Sequence, residues 1–403
     1  MNLENLKMRL PMKESWILTA DYLWNGIQDL PISNGAIVIE RNIIKDIIPY
    51  KELSSNAIQG VVELRGTTLM PGLIDSHTHL SMDPTLDNYL DHMSDKVAEL
   101  SSRAIAMMRK DLFAGITACR CLGDKEFLDI VCRKAVEEKQ LIGPRLLVAG
   151  KGIRAPGGHG FVGYPFDGPT EIKGAVIDNI SKGVDLIKFY ITGTLKSKGQ
   201  IPSYLTKDEI ATLINAAHES GLKTASHCVG GVGLDWALDA GLDSLEHAYH
   251  ISDAQIDKLA KSDTWPVLTP SPIVFEGRVD HLPAELIPGH KRERDEIMSR
   301  MMAVISSGIP YAVGSDGMHG QLAEEIGYLV DMGASNITAL RAATIHGAIV
   351  AGIDNKTGSL EVGKQADIIA VSGNPLKNIR ALKNIRAVLK EGEWIVKPEE
   401  PET

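Results

Sequence analysis

The two ends of the chain carry short apolar runs that are typical of β-strands. Three runs near the start are rich in β-branched residues and are separated by Asn-Gly or charged turns; they cover residues 16–20, 36–40 and 43–48. Near the other end, residues 390–393 (Lys-Glu-Gly-Glu) predict a hairpin turn between two strands. We expect an antiparallel sheet at the start of the chain. We also predict that residues 1–68 and 357–403 complete each other as one small composite β-sandwich domain.

Between the ends, short apolar runs alternate with segments of helical spacing. The predicted strands cover residues 69–79, 116–122, 145–150, 186–192, 223–227, 244–249, 266–269 and 311–315. The predicted helices cover residues 96–113, 125–139, 170–182, 206–220, 252–261, 292–307 and 321–332. Because the sequence shows no Gly-rich dinucleotide fingerprint, eight such repeats favour an α/β fold with a closed (β/α)8 TIM barrel over residues 69–356.

Composition and charge narrow the classes of partner. Hydrophobic residues make up 44% of the chain and charged residues 23%, which is enough apolar material for a large core. The formal net charge of −10 gives no reason to expect nucleic acid as a partner. The sequence shows no export signal and no apolar run long enough to span a membrane, and its four cysteines fit a reducing compartment. We therefore expect a cytoplasmic protein.

Polar residues stand where the predicted barrel strands end. His77 and His79 lie two residues apart, so both imidazoles point to the same side of their strand and indicate a metal, although such a pair alone fits a structural role equally well. Lys188 lies within an apolar strand, where a lysine is costly to bury unless it is paired, neutralised or modified. The ends of later strands carry His227, His247 and Asp316, which is where barrel enzymes keep their catalytic groups.

In this order, the residues resemble the metal-dependent amidohydrolase superfamily. The resemblance rests on the segments PGLIDSHTHL, KFYITG, HCVGG, LEHAYH, GSDGMHG and GSLEVGKQADIIAV, and it covers essentially the whole chain. It implies a first metal on His77 and His79 and a second on His227 and His247, with Asp316 also touching the first. It further implies two divalent ions, Zn²⁺ being expected, and a carboxylated Lys188 whose two oxygens bridge them.

The resemblance also implies a reaction. A hydroxide bridging the two ions attacks an amide carbonyl, and Asp316 carries the proton from the attacking water to the leaving nitrogen. Ring deaminases carry a Glu three residues after this histidine, in a His-x-x-Glu pattern, and His227 has no such Glu. Imidazolonepropionase-like members bind one metal and lack a lysine at the position of Lys188. The chain is therefore most similar to the Xaa-Pro and Xaa-Arg dipeptidase group.

Other residues are candidates for contact with the substrate. His159 stands in a Gly-Gly-His-Gly element that the dipeptidase-like group shares, and it is a candidate catalytic residue that contacts the substrate or polarises its carbonyl. Arg154 in the same loop would meet a substrate carboxylate. Tyr190 lies on the Lys188 face of its strand and Tyr249 follows His247 by two residues, so both are candidates to line the pocket. A structural role is the alternative for each of these four residues. The polar stretch at residues 192–205 is long enough to act as a lid.

Together these observations predict a binuclear amidohydrolase that cleaves the C–N bond of a dipeptide or an N-acyl amino acid. Hydrolysis of an aryl amide, carbamate or urea by the same site is a second interpretation. A catalytically silent metal-binding scaffold is a third, and the complete ligand set argues against it. The expected partner is a small amide or dipeptide substrate, with no nucleic acid and no membrane, and the family makes a homo-oligomer possible.

Overall fold

The computed structural model describes residues 15–53, 61–160 and 162–398. Parts of the predicted terminal domain, at residues 1–14, 54–60 and 399–403, lie outside the described residues. The strands are β1 (Ser15–Leu23), β2 (Ile32–Glu40), β3 (Ile43–Pro49), β4 (Val61–Pro71), β5 (Leu73–Thr78), β6 (Ile116–Cys121), β7 (Arg145–Val148), β8 (Ile153–Arg154), β9 (Tyr164–Pro165), β10 (Leu186–Tyr190), β11 (Lys223–Cys228), β12 (Ser244–His247), β13 (Trp265–Leu268), β14 (Ala312–Val313), β15 (Ile368–Ser372), β16 (Ile385–Lys390) and β17 (Glu393–Val396).

The helices follow the strands of the middle region. They are α1 (Val97–Phe113), α2 (Leu128–Glu137), α3 (Gly168–Ser181), α4 (Lys207–Glu219), α5 (Gly231–Asp239), α6 (Asp253–Leu259), α7 (Ser271–Val274), α8 (Glu276–Val279), α9 (Ile287–Ser306), α10 (Leu322–Asp331), α11 (Asn336–Ala342) and α12 (Ile345–Ala351). Short 3-10 helices cover Tyr50–Glu52, Asp91–Ser94, Lys125–Phe127 and Ile379–Lys383. Over the described ranges, no helix combines the length and the apolar character needed to cross a bilayer.

The two ends of the chain share one sheet. Its seven strands run in the order β17-β16-β15-β4-β1-β2-β3. The prediction of an antiparallel sheet is wrong at one ladder, because β1 pairs parallel with β4 while it pairs antiparallel with β2. The hairpin between β16 and β17 is confirmed, and Glu391 and Gly392 adopt the positive φ angles of 52° and 72° that such a tight turn requires. The division of the chain into two domains stays a prediction.

All eight predicted barrel strands are present and parallel, but their hydrogen-bonded ladder is not closed. One sheet has the order β5-β6-β7 and the other the order β14-β13-β12-β11-β10-β8-β9. At the two seams, single backbone hydrogen bonds, from Asp316 N–H to His77 O and from Asp185 N–H to Val148 O, are supplemented by carboxylates. Asp75 on β5 accepts hydrogen bonds from the backbone N–H and the hydroxyl of Ser315, beyond the end of β14. Asp185, before β10, accepts one from the N–H of Val148 on β7 at 2.8 Å.

The boundary between the terminal sheet and the barrel is sharp. The sequence predicted one strand over residues 69–79, but β4 ends at Pro71 and β5 begins at Leu73. Gly72 lies between them so close to β6 that an added Cβ would stand 2.2 Å from the Thr117 hydroxyl oxygen. A glycine is therefore required at the step from the sheet into the barrel.

The start of helix α4 is capped by two side chains. The hydroxyl of Thr206 accepts the backbone N–H of Glu209, and the Glu209 carboxylate accepts the N–H of Thr206, so both unpaired donors at the start of α4 are satisfied. The apolar faces of α1 to α5 pack on the outside of the parallel strands, in a continuous core that includes Ile187, Phe189 and Leu213. This packing fixes the strand ends that carry the polar residues.

Candidate active site

A cavity of about 310 Å³ opens at the carboxyl ends of the parallel strands. Parallel barrels hold their catalytic groups at this end, and the volume lies near the lower limit for small-molecule sites. Of the ten site residues predicted from the sequence, nine line the cavity: His77, His79, His159, Lys188, Tyr190, His227, His247, Tyr249 and Asp316.

Three predicted ligands converge most closely. One ligand atom from each of His77, His79 and Asp316 lies within 4.8 Å of the other two. The Asp316 Oδ1 atom is 3.4 Å from His77 Nε2 and 3.8 Å from His79 Nε2. Two imidazole nitrogens and one carboxylate oxygen form a donor set that divalent transition metals accept. These residues form a candidate metal site.

The imidazoles are held through their Nδ1 atoms. His77 Nδ1 is 2.8 Å from Glu246 Oε2, and His79 Nδ1 is 2.7 Å from the carbonyl oxygen of Gly123. His247 Nδ1 is 2.7 Å from the hydroxyl oxygen of Thr269. Such contacts orient metal-binding histidines and fix the tautomer that leaves Nε2 free to coordinate.

Two further imidazoles lie beside the first pair. The ring centroids of His227 and His247 are 4.4 Å apart, and those of His77 and His247 are 4.7 Å apart. His247 and Ala248 have φ angles of 77° and 56°, so the chain leaves the strand conformation exactly where His247 turns into the cavity. Burial, followed by neighbouring imidazoles, holds the pKa values of His227 and His247 well below 6.5, which favours the neutral form that binds metals.

Lys188 lies in the cavity without a hydrogen-bond partner. Its side chain is fully buried, and its ammonium nitrogen lies 5.0 Å from the centre of the Tyr190 ring. Burial lowers the pKa of Lys188 to about 8. The buried Nε2 atoms of His77 and His227 are likewise without a hydrogen-bond partner. Buried polar atoms normally have hydrogen-bond partners, so three unpaired ones in the same cavity indicate that a bound group pairs with them.

Asp316 is held by a buried arginine. Arg278 donates a hydrogen bond to Asp316 Oδ2 at 3.0 Å and another to the carbonyl oxygen of Ser315 at 3.1 Å. Burial alone would raise the pKa of Asp316, but Arg278 and the imidazole of His77 outweigh it and hold the pKa well below 3.8. Asp316 is thus a carboxylate that is fixed in place beside His77 and His79.

The predicted substrate-contact residues divide into two groups. The His159 ring stacks 4.2 Å from His227, and burial lowers the pKa of His159 to about 4. Tyr249 donates a hydrogen bond to the carbonyl oxygen of Thr269 at 2.8 Å and presents its ring to the cavity. Arg154 is different, because its guanidinium donates to the carbonyl oxygens of Ala155, Gly158 and Gly163 in its own loop, and it does not line the cavity.

Sequence reasoning missed part of the site. Glu246 is fully buried and binds both His77 and Arg120, whose guanidinium lies 3.1 Å away. Because side chains alternate along a strand, Glu246 is expected on the face of β12 opposite to His247. Only the presence of a carboxylate within an apolar strand could have indicated its role. Arg278 and His290 also line the cavity, although their segment gave no clear signal in the sequence. His319, three residues after Asp316, does not line the cavity, and its Nδ1 atom lies 2.7 Å from the Asp111 carboxylate.

The residues present fit divalent metal ions. The donors are imidazole, carboxylate and lysine groups, the imidazoles are oriented from behind, and the cavity side of the set carries the unpaired Nε2 and Nζ atoms described above. The ligand atoms of His77, His79 and Asp316 already lie close enough together to hold one ion. His227, His247 and Lys188 line the same cavity.

Known proteins resemble this chain in sequence and in fold. Ochratoxinase from Aspergillus niger is 27% identical, and the match covers 89% of this chain and 81% of that protein. Imidazolonepropionase from Shewanella baltica is 24% identical over 83% of this chain and 85% of that protein. The crystal structure of a Xaa-Pro dipeptidase with methionine bound in its active site superposes with a TM-score of 0.87 at 29% identity, covering 95% of this chain and 100% of that one.

The family model of the amidohydrolases matches residues 68–395, which include every candidate ligand. Both curated relatives and the dipeptidase match over most of their own lengths. Proteins of this kind are hydrolases that act on C–N bonds. The chain therefore belongs to the amidohydrolase family.

Proposed function

We propose that this enzyme is a binuclear metal-dependent amidohydrolase that cleaves the amide bond of a dipeptide or an N-acyl amino acid. The observation that carries the proposal is the convergence of His77, His79 and Asp316 in a cavity that also holds unpaired nitrogens of Lys188 and His227. Structural likeness to a Xaa-Pro dipeptidase supports the choice of substrate class.

His77 and His79 would hold one ion, His227 and His247 the other, and Asp316 would contribute to the first. Bound divalent ions supply Lewis acidity that acidifies a water molecule and polarises the scissile carbonyl. A carboxylated Lys188 would serve both ions, because carbon dioxide converts its buried amine into an anion and so removes an unpaired cation from the cavity.

The chain's own residues move the proton. The Asp316 carboxylate takes a proton from the attacking water and delivers it to the leaving nitrogen, so that a C–O bond forms as the C–N bond breaks. Arg278 fixes the orientation of Asp316 through Oδ2. His77, Lys188 and Arg278 are buried, which strengthens the electrostatic contacts around Asp316.

Release of free amine from libraries of dipeptides and N-acyl amino acids tests the proposal. We expect turnover by the wild type and a loss of about 10²- to 10⁴-fold in kcat for Asp316→Asn. Asp354→Asn, at an exposed position, is the control and should behave as the wild type. Full activity of Asp316→Asn would contradict the mechanism, and turnover of aryl ureas or carbamates alone would favour the second interpretation.

A further inference from the structure

One side of the cavity is an apolar wall. It consists of Met82, Tyr89, Met93, Val162, Leu282 and Leu286, which all line the cavity and pack in one hydrophobic cluster. Three separate segments supply these residues: the loop between β5 and α1, the loop before β9, and the segment before α9. None of the six carries a charge, so a charged substrate group placed against them would lose its hydration without gaining a partner among these six side chains.

The apolar wall adjoins the proton-delivering carboxylate. Met82 packs so closely on Gly317, next to Asp316, that an added Cβ there would lie 2.6 Å from the Met82 methyl carbon. The Tyr89 ring lies 5.6 Å below the guanidinium of Arg278, which itself binds Asp316. In the proposed reaction Asp316 protonates the leaving nitrogen, so the wall faces the amine side of the scissile bond.

The proposal concerns the substrate class and rests on the proposed function. We propose that the apolar wall selects amides whose amine-side residue carries a bulky branched or aromatic apolar side chain. The cavity of about 310 Å³ limits the whole substrate to about two residues. Two methionines in the wall let it adapt to side chains of different shape.

Two dipeptide series measure the preference on each side of the bond. The first series is Ala-Gly, Ala-Ala, Ala-Val, Ala-Leu, Ala-Phe and Ala-Pro, and the second is the same set with the variable residue first. Burial of three added carbons corresponds to about a 50-fold gain, so we expect kcat/KM to rise by about that factor from Ala-Ala to Ala-Leu. In the second series we expect a change of less than about tenfold.

A variant that fills the space tests the wall directly. Leu282→Trp should lower the ratio of kcat/KM for Ala-Leu to that for Ala-Gly by at least about tenfold, mainly through KM. Val279→Ala is the matched control, because Val279 is buried in the same cluster but does not line the cavity. That variant should keep the wild-type ratio.

Different results separate the two proposals. Three outcomes would overturn the selection by the wall and leave the amidohydrolase function standing. They are hydrolysis of both series with no dependence on amine-side size, a steeper dependence on the acyl side, and a preference for Ala-Pro over both Ala-Leu and Ala-Phe. An equal loss on every substrate in Leu282→Trp would do the same. Absence of hydrolysis for every amide tested would overturn the proposed function, and this inference with it.

Discussion

At the scale of single residues, a buried carboxylate holds the candidate metal ligand His77 in place. Glu246 contacts Nδ1 of His77 and the guanidinium of Arg120, and all three side chains are buried. Arg120 also donates to the carbonyl oxygen of Ser76 at 3.0 Å, so the pair ties three strands together. We therefore expect both the orientation of His77 and the stability of the parallel strands to depend on this carboxylate.

Replacement of that carboxylate should weaken both properties. We expect Glu246→Gln to lower metal affinity by about 10- to 100-fold and to lower the free energy of unfolding by about 3–5 kcal/mol, since Arg120 remains buried without its counter-charge. Metal titration and urea denaturation measure the two effects. Glu63→Gln, in an exposed pair with Arg65, should change neither by more than about 0.5 kcal/mol.

His290 makes stability depend on pH. Burial lowers its pKa to about 4 from 6.5, with Arg278, Glu293 and Arg294 as the charged groups nearby. Because the unfolded chain binds a proton more readily, the contribution of His290 is complete above pH 6.5 and is lost as the pH falls towards 4, by up to about 3 kcal/mol. Urea denaturation at pH 7 and pH 4.5 should show a smaller loss for His290→Gln than for the wild type. An equal loss in both proteins would contradict this account.

At the scale of elements, the predicted lid is tied to helix α9. Glu293 accepts a hydrogen bond from the backbone N–H of Lys196 at 3.0 Å and lies 3.1 Å from the imidazole of His250. The neighbouring residues Thr194 and Leu195 line the cavity. The start of α9 therefore holds one edge of the cavity in place.

Loss of this tie should loosen the loop. We expect Glu293→Ala to speed limited proteolysis between residues 192 and 205 by several-fold and to raise KM more than it lowers kcat. Mass spectrometry of the fragments locates the cleavage. Glu285→Ala, at an exposed position before α9, is the control, and the same cleavage rate in both variants would refute a role for the tie.

The sequence predicted the regular elements better than the contacts between them. Alternating patterns placed all eight barrel strands and seven helices to within a few residues, because each element buries one face. Helix α5 was missed because Gly230 just before it and Gly231 at its first position resemble a loop, and the short helices α7, α8, α11 and α12 were missed as well. The partners of the ligands, Glu246 and Arg278, come from distant segments, and only the folded chain brings them to His77 and Asp316.

At the scale of the whole molecule, one arginine joins the barrel to the terminal sheet. Arg145 on β7 binds the buried Asp367 at 2.8 Å, just before β15, and Glu391 at 2.7 Å in the β16–β17 turn. These carboxylates raise the pKa of Arg145 despite its burial, so the guanidinium keeps its charge. These ion pairs join the two regions that the sequence predicts as separate domains.

Removal of this coupling should destabilise both parts. We expect Arg145→Met to lower the free energy of unfolding by about 3–5 kcal/mol, because Asp367 stays buried without its cation. Urea denaturation followed by tryptophan fluorescence measures it. Lys45→Met, in an exposed pair with Glu40, should change stability by less than about 0.5 kcal/mol. A similar small change in Arg145→Met would show that the two parts are held together by other contacts.

The metal content of the purified chain tests the central claim most directly. Elemental analysis of protein prepared without chelator should give close to two divalent ions per wild-type chain and no more than one for Lys188→Met. Hydrolysis of amides should fall with the second ion. One ion or none in the wild type, or two ions in Lys188→Met, would contradict the binuclear site.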